Sequence, residues 1–175
     1  MQFNDDILLN MIGQKKRGVT LVELLVATAI IGTLSGLVVV NVNRARVQSR
    51  DAKRESDLRN IQVALEFYYN KHKTYVVSGS GYNGGGQGWF AYTNGTTYTT
   101  SVAQALASAG LLSGPNIEDP KQNPGYMIYT CSSGQKYALF ATKESPTSSD
   151  TAYVQTVCNG SAVATSYGKN FAVGN

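Results

Sequence analysis

The stretch KKRGVTLVELLVATAIIGTLSGLVVV, residues 15–40, decides the fold of this chain. Its Val19–Val40 portion is a predominantly apolar run that contains one charged residue, Glu23. About 20 apolar residues are needed for a helix to cross a bilayer, so the run predicts a transmembrane helix. A lone carboxylate costs roughly 2.5–3.5 kcal/mol at the centre of such a helix, and Glu23 therefore requires a specific role.

The helix is predicted to continue beyond the apolar run. No proline or glycine interrupts residues 41–74, so nothing stops the helix before about His72. Helical spacing places one set of side chains on a single face: Leu58, Ile61, Leu65, Tyr68 and His72. The first half of the helix is thus apolar all round, whereas the second half is amphipathic and suited to packing on a domain.

The downstream residues predict a small antiparallel sheet of three or four strands packed on the amphipathic half of the helix. The strand-like segments are Gly125–Thr130, Lys136–Thr142 and Ala152–Val157, and residues Ala162–Tyr167 read as a further strand or as irregular chain. Residues 78–100 read as a Gly/Ser/Thr-rich surface loop, and Val102–Ser108 as a short helix with Ser101 as its N-cap. The predicted fold class is α+β, with a long N-terminal helix on a small antiparallel β-sheet.

Residues 18–34, GVTLVELLVATAIIGTL, resemble the class III signal peptide of type IV pilins and type II secretion pseudopilins. In that family a membrane prepilin peptidase cuts after the glycine and methylates the new terminal amine. The resemblance implies cleavage between Gly18 and Val19 and N-methylation of Val19, although phenylalanine is commonest at the latter position. It also implies that Glu23 faces the terminal amine of a neighbouring subunit in the assembled filament. A buried carboxylate is tolerated when it has such a partner.

The same resemblance implies a division of the chain and a set of partners. Residues 1–18 would be a cleaved leader, 19–43 the transmembrane and later filament-core half of the helix, and 44–175 a soluble head domain. The partners would be prepilin peptidase, a membrane platform with its assembly ATPase, and identical subunits in a helical filament. The chain would first span the cytoplasmic (inner) membrane once and afterwards form an extracellular filament.

Residues 50–75, with the order D-L-x-x-I-x-x-A-L-E-x-Y, resemble the corresponding stretch of major pseudopilins and related pilins. Residues 117–130, with D-P-x-x-N-P-x-Y, resemble a segment that leads into the sheet of major pseudopilins. The functional prediction is a structural subunit of the major-pilin type, for which the Gly/Tyr-rich loop and the cysteine pair are more typical. The alternatives are a major pseudopilin and a minor pilin that binds DNA or surfaces. In the last case Trp89, Phe90, Tyr92 and Tyr98 would form an aromatic platform.

An enzyme is not expected, because the sequence offers no Ser/His/Asp, Cys/His or paired-carboxylate arrangement and His72 is the only histidine. The net charge of +4 arises from basic residues that flank the apolar run and is not by itself a nucleic-acid footprint. No cofactor or metal is predicted. Calcium, which some major pseudopilins bind in a loop between sheet strands, would have only Glu144, Ser148 and Asp150 as donors here.

Cys131 and Cys158 are the only two cysteines, and both lie far downstream of the membrane segment. A cysteine pair in a part of the chain that leaves the cytosol suggests one disulfide, and the alternative is two buried free thiols. The two residues fall at the ends of the first and third predicted strands, so a bridge between them would staple the sheet.

Overall fold

The computed structural model describes residues 18–78, 87–93, 96–97, 100–114, 117–121 and 125–175. The chain forms two compact units, Met1–Asn43 and Arg44–Asn175. Of the predicted leader, only Gly18 lies within the described residues. The predicted α+β class, a long N-terminal helix with a small antiparallel sheet, is confirmed.

Helix α1 comprises Leu21–His72 without a break. It ends where Lys73 adopts a positive φ of 57°, a conformation that a helix cannot continue through. The basic residues Lys71 and His72 occupy the last turn, where cations interact favourably with the helix dipole. In the first unit the side chains of α1 are exposed, whereas in the second unit one face of the helix is buried.

The main sheet has four antiparallel strands in the order β1-β4-β5-β6. The elements after α1 are β1 (Gln87–Trp89), β2 (Tyr92–Thr93), β3 (Thr96–Thr97), α2 (Val102–Ser108), β4 (Met127–Cys131), β5 (Lys136–Ala141), α3 (Ser148–Thr156), α4 (Gly160–Tyr167) and β6 (Phe171–Gly174). Strands β2 and β3 form a separate two-stranded hairpin. Ser101 caps α2 as predicted, because its hydroxyl accepts the Gln104 N–H at 3.1 Å.

The head has apolar contacts on both faces of this sheet. Alternate β5 residues divide between two hydrophobic clusters: Tyr137 and Leu139 belong with the buried face of α1, whereas Phe140 packs with Val154 of α3 and Val163 of α4. Five of the six β5 residues are therefore buried, which explains why the strand lacks clear polar alternation. The sequence predicted a helix on one face of the sheet only, and the structure adds α3 and α4 on the other face.

Three sequence predictions for the head were wrong. Residues Ala152–Val157 lie mainly in helix α3, because Thr147 and Asp150 form a reciprocal capping box that starts a helix before them. Residues Ala162–Tyr167 lie in helix α4, and the strand of the tail is Phe171–Gly174 instead. The described parts of residues 78–100 include strands β1, β2 and β3 and are not only a surface loop.

The turn between α3 and α4 depends on Gly160. A Cβ atom on this residue would lie 1.8 Å from the Val154 carbonyl oxygen, so the two helices approach each other through a glycine backbone. The preceding residue, Asn159, has a φ of 54° in the left-handed region that asparagine tolerates.

Candidate processing and assembly site

Helix α1 begins with a capping box formed by Thr20 and Glu23. The Thr20 hydroxyl accepts the Glu23 N–H at 3.2 Å, and the Thr20 N–H donates to Glu23 Oε2 at 3.5 Å. The first helical bond runs from the Leu24 N–H to the Thr20 carbonyl at 3.1 Å. Sequence reasoning singled out Glu23 but missed Thr20, although Thr-x-x-Glu before an apolar run is the signature of such a box.

The predicted cleavage site lies immediately before this cap. Gly18, Val19 and Thr20 are outside the helix and exposed, and the Val19 side chain is 71% exposed. A Cβ atom on Gly18 would meet nothing within 4 Å. The described residues therefore leave room for a side chain at position 18, so no contact among them requires a glycine there.

The apolar half of α1 has the properties of a membrane helix. Its most apolar 18-residue window has a mean hydropathy of 2.1, and none of that window is buried within the chain. Three hydroxyls in this half bond to carbonyls of the preceding turn, which satisfies them in an apolar environment: Thr28 to Leu25, Thr33 to Ile30 and Ser35 to Ile31. Cβ atoms on Gly32 and Gly36 would also meet nothing within 4 Å, so these positions are open to close approach by another helix.

A buried guanidinium connects the amphipathic half of α1 to two loops of the head. The Arg54 side chain is 2% exposed and forms two hydrogen bonds to Asp119, from Nε at 2.6 Å and from Nη2 at 2.9 Å. Its Nη1 donates to Asp51 at 2.7 Å. Burial alone would lower the pKa of Arg54, but the hydrogen bonds and charges of its carboxylate partners raise it overall. Asp119, the first residue of the D-P-x-x-N-P segment, thus provides a counter-ion for Arg54.

Glu144 joins the same network from the loop after β5. Arg50 binds it through two hydrogen bonds of 2.5 and 2.8 Å, and Lys121 lies 2.7 Å away. The hydrogen bond from Arg50 is the largest cause of a pKa for Glu144 well below its usual range. Asp51 also binds this loop, because it accepts hydrogen bonds from the backbone N–H groups of Glu144 and Ser145, each at 2.9 Å.

The carboxylates proposed as calcium donors are already paired with cationic side chains. Glu144 is neutralised by Arg50 and Lys121, and Asp150 lies 3.0 Å from Lys143 while it also caps helix α3. Within the described residues no group of three His, Cys, Asp or Glu side chains could hold a metal ion. The arrangement neutralises these carboxylates and stabilises the loops that carry them.

The residues proposed as an aromatic platform do not form an open surface where they are described. Phe90 is fully buried in the core, and the Trp89 ring packs edge-on against Tyr167 at 5.5 Å. The amine of Lys169 lies over the Trp89 ring, 5.1 Å from the ring centroid, and donates a hydrogen bond to the Gly125 carbonyl. Burial lowers the pKa of Lys169 to about 7. Tyr98 and the Tyr92 side chain lie outside the described residues.

Cys131 and Cys158 are joined by a disulfide, with their Cα atoms 5.6 Å apart. Cys131 ends strand β4, but Cys158 lies in the turn between α3 and α4 and not at a strand end, as the sequence reading had it. The bridge therefore ties the helical pair to the sheet.

Comparison with known proteins identifies the N-terminal segment. Residues 13–39 match the family model described as the prokaryotic N-terminal methylation motif. This motif is the class III signal peptide of type IV pilin-like proteins, and the match supports a precursor of the type IV pilin-like or pseudopilin kind. The motif points to a structural protein that is processed by prepilin peptidase, and with the apolar helix it fits a single-pass inner-membrane precursor. Searches of curated proteins and of solved structures gave no significant match.

Proposed function

We propose that this chain is the precursor of a major-pilin-type subunit of an extracellular filament. Prepilin peptidase removes residues 1–18 and methylates the amine of Val19. The apolar half of α1 then leaves the membrane for a bundle of identical helices. The head domain, residues 44–175, remains soluble and forms the filament surface.

The observation that carries this proposal is the exposed apolar half of α1, most of which lies within the matched motif. A helix with a mean hydropathy of 2.1 and none of its most apolar window buried must be covered by something outside the chain. Lipid provides that cover before processing, and like helices provide it after assembly. The small residues Gly32 and Gly36 leave space for such helices to approach.

The position of Glu23 fits a helix that lies first in lipid and later in a bundle of like helices. A carboxylate in an apolar bundle requires a partner, and cleavage creates an amine at Val19, four residues earlier. In the filament the amine of a neighbouring subunit is the partner that the family resemblance implies.

The features of the head favour a pilin over the two alternatives. The carboxylates that a calcium-binding pseudopilin would use are paired with Arg50, Lys121 and Lys143. Of the aromatic residues that a nucleic-acid platform would use, Phe90 is buried and Trp89 packs against Tyr167. The disulfide stabilises a domain that is exposed outside the cell.

The test is Glu23→Gln in cells that assemble the filament, with Glu23→Asp as the matched variant that keeps the charge. We expect the glutamine variant to be processed but to yield few filaments by electron microscopy, since it cannot pair with an ammonium group. The aspartate variant should assemble better than the glutamine variant. Wild-type numbers of filaments from Glu23→Gln would refute the proposed role of the carboxylate.

A further inference from the structure

Thr20 lies between the scissile peptide bond and the helix, and its hydrogen bonds define where the helix starts. We propose that Thr20 is a positioning residue for cleavage: by capping α1 it keeps the Gly18–Val19 peptide outside the helix, where the peptidase can reach it. This inference rests on the proposed processing of the chain. It assigns Thr20 a role in cleavage, a step that precedes the role of the Glu23 charge in assembly.

The geometry supports this role. The Thr20 carbonyl accepts the first helical bond, from Leu24, so Gly18 and Val19 precede the hydrogen-bonded turns. Without the cap, the hydrogen bonds that fix the helix boundary at Thr20 are lost and the boundary is free to shift. A scissile bond drawn into a helical turn has its carbonyl engaged in a backbone bond and is protected from proteolysis.

Glu23 then has two successive partners. Before cleavage its carboxylate accepts the Thr20 N–H as the second half of the capping box. Hydrolysis adds one water across the bond from the Gly18 carbonyl carbon to the Val19 nitrogen, leaving a carboxyl group on Gly18 and an amine on Val19. After cleavage the capping box still orients the carboxylate toward this end of the helix, where in the filament it would pair with the amine of a neighbouring subunit.

The two partners make different chemical demands. A glutamine side chain also completes a capping box, because its carbonyl oxygen accepts the same N–H. It carries no charge and cannot pair with an ammonium group. Glu23→Gln should therefore preserve cleavage, whereas loss of the Thr20 hydroxyl should impair it.

The experiment follows cleavage of the full-length chain by a prepilin peptidase in detergent-solubilised membranes, with intact-mass measurement at successive times. Thr20→Val should be cleaved about fivefold more slowly, the factor that corresponds to the loss of an N-cap worth about 1 kcal/mol. Thr20→Ser and Glu23→Gln should be cleaved at close to the wild-type rate. Thr28→Val is the matched control, because the Thr28 hydroxyl bonds only within the helix, to Leu25.

The outcomes separate this inference from the proposed function. Wild-type rates for Thr20→Val would overturn the positioning role while leaving processing intact. Cleavage of Thr20→Ser as slow as that of Thr20→Val would also overturn it, since the peptidase would then read the threonine side chain itself and not the cap. Failure of the wild-type chain to be cleaved would refute the proposed function. As a control, urea unfolding of the head is measured by Trp89 fluorescence. Equal midpoints in all variants show that the substitutions do not affect the head.

Discussion

Replacing Arg54 with methionine would test whether the buried guanidinium holds the head together. The substitution keeps a long side chain but removes the cation between Asp119, which is 1% exposed, and Asp51, which is 8% exposed. Removing one partner of a buried ion pair costs about 3–5 kcal/mol, because a charge is left buried without compensation. Asp119 keeps the Lys121 N–H and Asp51 keeps two backbone N–H groups. We therefore expect the lower end of that range, about 3 kcal/mol.

Urea unfolding of the detergent-extracted chain measures this loss. Trp89 is the only tryptophan and lies in the head, so its fluorescence reports the unfolding of that unit alone. With a slope of roughly 1–3 kcal/mol per molar urea, the midpoint should fall by about 1–3 M. Arg50→Met is the matched control one helical turn earlier. Its pair with Glu144 is partly exposed, so we expect a much smaller loss of stability than for Arg54→Met. Equal losses for the two variants would refute the reasoning.

Two further predictions concern the head. The pKa of Lys169 is about 7 in the folded chain and near 10.5 in the unfolded chain. Between these pH values the unfolded state binds more protons, so the free energy of unfolding should rise with pH from 7 toward 10. The Trp89 urea midpoint should follow this rise in the wild type and lose it in Lys169→Met; an unchanged slope in the variant would contradict the assignment. Cys131→Ser should lower the free energy of unfolding by about 3–4 kcal/mol, as the chain-entropy model gives for a loop closed over 27 residues. Reductant should lower the thermal midpoint of the wild type to that of the variant, and no effect of reductant would mean that the bridge does not stabilise the head.

The long helix could be predicted from sequence because each half carries its own unambiguous pattern. The apolar run is long enough to span a bilayer, and Leu58, Ile61 and Leu65 repeat at helical spacing in a segment without proline or glycine. The buried face continues toward the N-terminus as Arg54 and Asp51, at the same spacing but with charged residues. Periodicity counted over apolar residues could not reveal it, because the partner Asp119 lies 65 residues away and only the folded chain brings the two together.

The end of the head was misread because a local pattern and the tertiary structure disagree. The valine, threonine and tyrosine residues of Ala152–Val157 are typical of a strand, yet the capping box of Thr147 and Asp150 starts a helix there. The Thr-x-x-Asp order was visible in the sequence and was the available signal. Gly160 and the disulfide then fix α3 and α4 as a helical pair, a constraint that depends on contacts with the sheet and that no short window of sequence expresses.

At the N-terminus the sequence was more informative than in the head. The sequence shows the resemblance to a class III signal peptide, a family model matches residues 13–39, and the structure adds that Thr20 and Glu23 bond to each other. The structure also adds that a Cβ atom on Gly18 would meet nothing within 4 Å, whereas cleavage after this residue stays a prediction from the sequence.

The central claim is that this chain is a precursor whose helix becomes functional only after cleavage at Gly18. Intact-mass measurement of the protein extracted from membranes that contain a prepilin peptidase tests it directly. The account predicts a chain that begins at Val19, lacks residues 1–18 and carries the additional mass of one methyl group. The mass of the full 175-residue chain, or removal of a segment that ends elsewhere, would contradict it.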